Sequence, residues 1–150
     1  MSMDRRDLLA GAGAVLAAAA TQQAFAQAQP GEHAHHRHGK GKNLALADSA
    51  AKCVTTGEAC GNHCITVLEQ GDKTIAACAR SVNQLIAICT ALQAVAAQDG
   101  TQLAKLAKVA MDVCKECEDE CRKHEKKHQE CKDCGDACAA CYKECKKLVG

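Results

Sequence analysis

The chain has 150 residues, a formal net charge of +1 and 13 cysteines. Phe25 and Tyr142 are its only aromatic residues apart from histidine, and there is no Trp. That balance excludes a nucleic-acid partner, which needs a basic patch with interleaved aromatics, and the length allows one domain. Pro30 is the single proline, so nothing beyond residue 30 breaks a helix by that route. Ala, Leu, Lys, Glu and Gln dominate and favour helix. A core so poor in large side chains needs something else to fill and tie it, and bound metal is the obvious candidate.

Residues 1–26 read as an export signal. Arg5-Arg6 precede an apolar run from Leu8 to Ala20, and Ala24-Phe25-Ala26 is an A-x-A cleavage site before Gln27. The paired arginines, with Leu8-Leu9 two residues on, resemble a twin-arginine signal, which exports already folded proteins. An ordinary secretory signal is the alternative. The expectation is a periplasmic or otherwise extracytoplasmic protein that makes no membrane contact once the signal is removed. Removal takes away no cysteine and leaves the net charge unchanged, since two Arg and two Asp go together. Residues 27–42 read as a flexible arm carrying Pro30, Gly31, Gly39 and Gly41 with His33, His35, His36 and His38. Such a tract can bind Cu(II) or Zn(II) weakly, or be a solvated tail.

Residues 43–150 read as four helices, each with a stripe of thiols. The first runs from about Asn43 to Gln70, with Cys53, Cys60 and Cys64 spaced 7 and 4. Gly71-Asp72 is a stop-and-cap pair. The second runs from about Lys73 to Gln98, with Cys78 and Cys89 on one face. Asp99-Gly100-Thr101 turns the chain, with Thr101 a candidate cap. The third runs to about Lys123 and carries Cys114, Cys117 and Cys121. The segment from His124 to Gln129 has no Gly or Pro. A boundary is expected there because the stripe loses phase, Cys131 falling roughly 80° away from Cys121; one long helix is the alternative. The fourth runs from about Glu130 to Leu148 and holds C-K-D-C-G-D-A-C-A-A-C-Y-K-E-C. There Cys131, Cys134, Cys138, Cys141 and Cys145 share an arc of roughly 80°, where leucines would usually lie.

Short connections predict an all-α, up-down-up-down antiparallel four-helix bundle with a cysteine-lined core. Take the end with the first and third turns as the mouth. Counting 1.5 Å per residue, Cys121 and Cys131 lie within roughly 6 Å of it, and Cys64, Cys78, Cys117 and Cys134 about 8–12 Å down. Cys60, Cys114, Cys138 and Cys141 follow at about 14–18 Å, and Cys53, Cys89 and Cys145 near about 25 Å. Thiols of different helices thus fall at matching depths. Leu92, Val95, Leu103 and Leu106 are expected to plug the far end, while the mouth carries His63, His124 and His128.

Four chemistries suit thirteen buried thiols. Disulfides are natural in an exported protein, but the count is odd and disulfide scaffolds are loop-rich. An iron–sulfur cluster in an electron-transfer protein is a second reading, though ferredoxin cysteines wrap their cluster in a loop with different spacing. Zinc is a third, but three or four zinc ions would leave about five uncompensated thiolate charges in the core. Cu(I) is soft, accepts two or three thiolates, and reaches roughly one ion per cysteine when each thiolate bridges two ions. The loaded core is then neutral and can be buried. Charge decides for copper over zinc. No Ser/His/Asp set, Gly-rich phosphate loop or carboxylate pair stands out, so a binding protein rather than an enzyme is expected.

The stretches C-V-T-T-G-E-A-C-G-N-H-C (53–64), C-K-E-C-E-D-E-C (114–121) and 131–145 resemble the copper storage proteins. The resemblance implies a bundle filled with Cu(I)-thiolate clusters on all thirteen cysteines. It also implies a homo-oligomer, often a tetramer, that stores copper for a recipient copper enzyme, chaperone or chelator. His63 matches a histidine near the family's mouth that assists ions there. The exported branch carries a twin-arginine signal, which Arg5-Arg6 fits. One departure is that Met111 is the only Met outside the signal, where exported members have several; it is expected to be core.

Overall fold

The computed structural model describes residues 41–150; the expected export signal, and the His-rich arm as far as residue 40, lie outside the described residues. Four helices form: α1, Leu44–Glu69; α2, Ala76–Ala97; α3, Leu103–Arg122; and α4, Gln129–Val149. A single 3₁₀ turn, Lys73–Ile75, leads into α2. There is no strand among the described residues. α1 packs on α2 and α4, and α3 packs on the same two, with no diagonal contact. The antiparallel bundle is the one expected.

The turns show how the sequence closes it. Gly71 takes φ +90°, a conformation that only glycine adopts without strain. Its N–H donates to Leu68 O at 2.9 Å and that of Asp72 to Val67 O at 3.2 Å, satisfying the last carbonyls of α1. Asp72 then caps the 3₁₀ turn, its carboxylate accepting from Thr74 N at 2.9 Å. At the opposite end Thr101 does not cap: Gln102 precedes α3 and no side chain accepts from its first N–H groups. Asp99 turns the chain with φ +48°, and its carboxylate accepts from Asn43 Nδ2 at 2.8 Å. That bond joins the start of α1 to the α2–α3 turn.

Between α3 and α4 the chain breaks without Gly or Pro. His128 is extended at φ −131°. Arg122 braces the reversal, donating to Glu125 at 2.8 Å, to Asp136 on α4 at 2.7 Å and to Glu118 at 3.3 Å. Gly135 lets that side chain lie close, since a Cβ there would stand 3.3 Å from the Arg122 guanidinium carbon.

The core is thiol through most of its length and hydrocarbon at the far end. All thirteen cysteines are fully buried. Leu92 and Leu103 are buried at the far end as expected, joined by Leu46, Ala50, Ala96, Ala107 and Ala110, while Val95 and Leu106 are only half-buried. The segment Lys73–Ala97 is long and apolar enough to cross a membrane, with mean hydropathy 1.5. In the bundle, however, its Cys78, Val82, Leu85 and Cys89 face the core.

One expectation needs correction. The depth count took the two hairpins to be flush at the mouth. Instead His63, well inside α1, meets His128 of the α3–α4 turn. The α1–α2 hairpin therefore overhangs its partner by roughly 8–10 Å, between one and two helical turns. Counting from helix ends cannot detect such an offset; the pairing of side chains sets it.

Candidate metal centre

The offset regroups the thiols. Cys53, Cys89, Cys114 and Cys141, one from each helix, have sulfurs all within 4.8 Å of one another. Cys60, Cys64, Cys78 and Cys131 make a second set of four nearer the mouth. Two sets of three lie between, Cys60–Cys121–Cys134 and Cys117–Cys134–Cys138. Cys60 and Cys134 are shared, so the sets run into one another. Thiols hydrogen-bond across helices at Cys78–Cys121, 3.7 Å, Cys60–Cys131, 3.8 Å, and Cys117–Cys134, 4.0 Å. Cys138 also neighbours Cys114 and Cys53 of the deep set. The result is one continuous column of sulfur. Cys145 belongs to no set; Cys141 is its hydrogen-bonding neighbour at the column's end. The depth count had placed it level with Cys53 and Cys89, and the same offset accounts for the difference.

All thirteen thiols are free. Hydrogen bonds among neighbouring thiols, that with Cys121 foremost, together with burial, push Cys60 far above the usual thiol range. Cys138 rises likewise, with Cys114 its leading neighbour. Cys78, Cys134 and Cys141 move down, their thiolate forms accepting from Cys121, Cys117 and Cys114 respectively and from other thiols around them. Dry surroundings favour neutral groups, and a metal that enters must displace protons. Cys53 also donates to Ala137 O at 3.3 Å.

The mouth holds the nitrogen donors. His63 Nε2 and His128 Nδ1 are 2.8 Å apart, and His63 Nδ1 lies 3.6 Å from the Glu130 carboxylate. The ring of His124 stands 6.4 Å from that of His128. Sequence reasoning named the three histidines but missed Glu130. A signal was present: Glu130 precedes Cys131 as His63 precedes Cys64, and those two cysteines belong to one set. Met111 is half-buried against the core, as expected.

A narrow bundle with a continuous thiol core defines a helical metal-thiolate protein, able to take many soft cations rather than one. Residues 39–150 match the copper storage protein family, and the chain belongs to that family. The cysteine-rich protein YhjQ of Bacillus subtilis is 28% identical over 99 residues, covering 65% of this chain and 89% of its own. The copper storage protein of Streptomyces lividans, solved with 10 copper equivalents, is 25% identical with a TM-score of 0.62, covering 69% of this chain and 80% of its own. A second Streptomyces lividans structure, of a cytosolic copper storage protein with five coppers, is 25% identical with a TM-score of 0.63, covering 70% of this chain and 89% of its own.

That last similarity corrects the expected location. The exported, periplasmic reading rested on Arg5-Arg6 and the apolar run, and it is contradicted by this Streptomyces lividans relative, which is a cytosolic copper storage protein.

Proposed function

We infer that this protein stores copper, holding many Cu(I) ions as thiolate clusters inside the bundle. The observation that carries this is the unbroken column of thirteen free, buried thiols. Soft thiolates in a dry core select a soft monovalent cation, and bridging leaves the loaded column neutral. The copper-loaded Streptomyces lividans relative supports the same cargo. The ligands proposed are all thirteen cysteines, with His63 assisting at the mouth, and a capacity of roughly one ion per cysteine. The role is binding rather than turnover. The bundle of residues 43–150 is the copper-binding domain; the histidines of residues 27–42 offer a weak site for Cu(II) or Zn(II). The stored ions pass to a copper enzyme, chaperone or chelator, and the chain works as a homo-oligomer, a tetramer by family resemblance.

An Fe–S electron carrier fits less well, because the sulfurs stand on four rigid helices instead of a wrapping loop. The test is an anaerobic Cu(I) titration of reduced protein against a competing chelator. Uptake approaching one copper per cysteine with helicity retained supports the store. Saturation at three or four ions, or uptake of iron or zinc alone, overturns it.

A further inference from the structure

We propose that the core also takes a divalent, tetrahedral, thiolate-seeking cation of the zinc type, at two places only: Cys53–Cys89–Cys114–Cys141 and Cys60–Cys64–Cys78–Cys131. In each set the four sulfurs lie within 4.8 Å of one another and are fully buried. A tetrahedral ion with metal–sulfur bonds of about 2.3 Å holds its sulfurs about 3.8 Å apart. Small side-chain rotations reach that spacing, and the two sets share no cysteine.

Nothing else in the column offers four donors. The two remaining sets have three sulfurs each, and each borrows Cys60 or Cys134. Their cysteines are fully buried, so bulk water is not at hand for a fourth position. Cys145 stands outside every set. The column that carries roughly one Cu(I) per cysteine thus carries two divalent ions. The difference comes from coordination number: a divalent ion consumes four thiolates where bridging copper consumes about one.

Charge sets the order of preference. Four thiolates round a dication leave about two negative charges in a dry site. Cu(I) leaves none, so copper displaces the divalent ion as it loads. The two sites also differ mechanically. The deep set draws one thiol from every helix and links all four. The mouth set draws two from α1, one each from α2 and α4, and none from α3. An ion in the deep site therefore restrains the bundle more.

The test uses Co(II) as the optical probe for zinc, with the full chain, reduced and anaerobic. The expected result is two equivalents giving the charge-transfer and visible bands of tetrathiolate Co(II). Cys89→Ser and Cys64→Ser each reduce the count to one, Cys145→Ser leaves two, and Cys64→Ser retains more of the thermal stabilisation than Cys89→Ser. Circular dichroism checks the fold of each variant, with Cys114→Ala replacing Cys89→Ser if that chain does not fold. Saturation at one equivalent or at three, loss of an equivalent in Cys145→Ser, or only the weak bands of Co(II) on arm histidines overturns the proposal. Cu(I) added afterwards should bleach the bands. Bands that persist count against copper storage and leave the divalent sites standing. Copper uptake by a protein that never forms the bands removes this proposal alone.

Discussion

Replacing Cys138 by Ser separates a shared cluster from a row of independent sites. Cys138 closes the set with Cys117 and Cys134, and its thiol neighbours Cys114 and Cys53 of the deep set. It is therefore the junction between the middle of the column and its deep end. With each Cu(I) held by two thiolates and each thiolate bridging two ions, losing one sulfur at a junction should lower capacity by about one or two ions. The fold should survive. Ser is close to Cys in size and its hydroxyl can bond back to the carbonyl one turn earlier, so the cost is about 1–2 kcal/mol. Cys145→Ser supplies the contrast. Its sulfur belongs to none of the four sets and hydrogen-bonds to Cys141, so the loss should be at most about one ion. Anaerobic chelator competition with mass spectrometry of the loaded chains counts the ions, and circular dichroism reports the helices. Loss of all uptake in Cys138→Ser, or a larger loss in Cys145→Ser than in Cys138→Ser, would refute the junction.

Leu92 is fully buried at the hydrocarbon end, and Leu92→Ala should cost the metal-free protein about 2–5 kcal/mol, lowering Tm by about 10 °C or more. Copper binds the folded state, so loading should raise the Tm of the variant as it does that of the parent chain; no rise on loading in either chain would contradict a core tied by metal. The Arg122 guanidinium beside Asp136 holds that carboxyl below its usual range. A depressed folded value gives stability above the unfolded pKa of about 4 and loses it as pH falls through the folded value. Arg122→Ala should therefore flatten the acid limb of stability below about pH 4 and, the groups being largely exposed, cost no more than about 1 kcal/mol at neutral pH; an unchanged acid limb counts against the brace. Because neighbouring thiols and burial keep Cys60 and Cys138 protonated, while Cys78, Cys134 and Cys141 are shifted down, copper uptake should release protons, fewer than one per thiol ligated. A weakly buffered titration that detects no release would exclude the thiols as ligands.

The helices, their thiol faces and the bundle were legible because each depends on local periodicity. Cysteines three and four apart fix a face, and Gly71-Asp72 states a turn in the residues that make it. What was not legible depends on how one hairpin sits against the other. The set joining Cys131 to Cys60, Cys64 and Cys78 requires the offset of the two hairpins, which His63 and His128 register but no single helix encodes. The α3–α4 break was read from a phase slip, while the group that braces it, Arg122 with Glu125 and Asp136, looked like ordinary surface charge. Thr101 had the right chemistry for a cap, yet the left-handed Asp99 had already turned the chain two residues earlier.

The residues that make the bundle narrow matter as much as the thiols. A Cβ at Gly57 would stand 3.0 Å from Ile86, and one at Gly61 would stand 3.4 Å from Val82, so α2 lies close against α1. Gly135 does the same for α4 against α3, where a Cβ would stand 3.4 Å from that of Cys121. Cysteine is itself short. A bundle spaced for leucine would leave thiols of facing helices too far apart for one ion to bridge, however many cysteines lined it. Gly135 lets α3 and α4 close on each other, where Cys117 stands 4.0 Å from Cys134; across the other two interfaces Cys78 stands 3.7 Å from Cys121 and Cys60 3.8 Å from Cys131. Those cross-helix approaches turn four separate stripes into one column, so enlarging Gly57 or Gly135 should impair loading even with every cysteine in place.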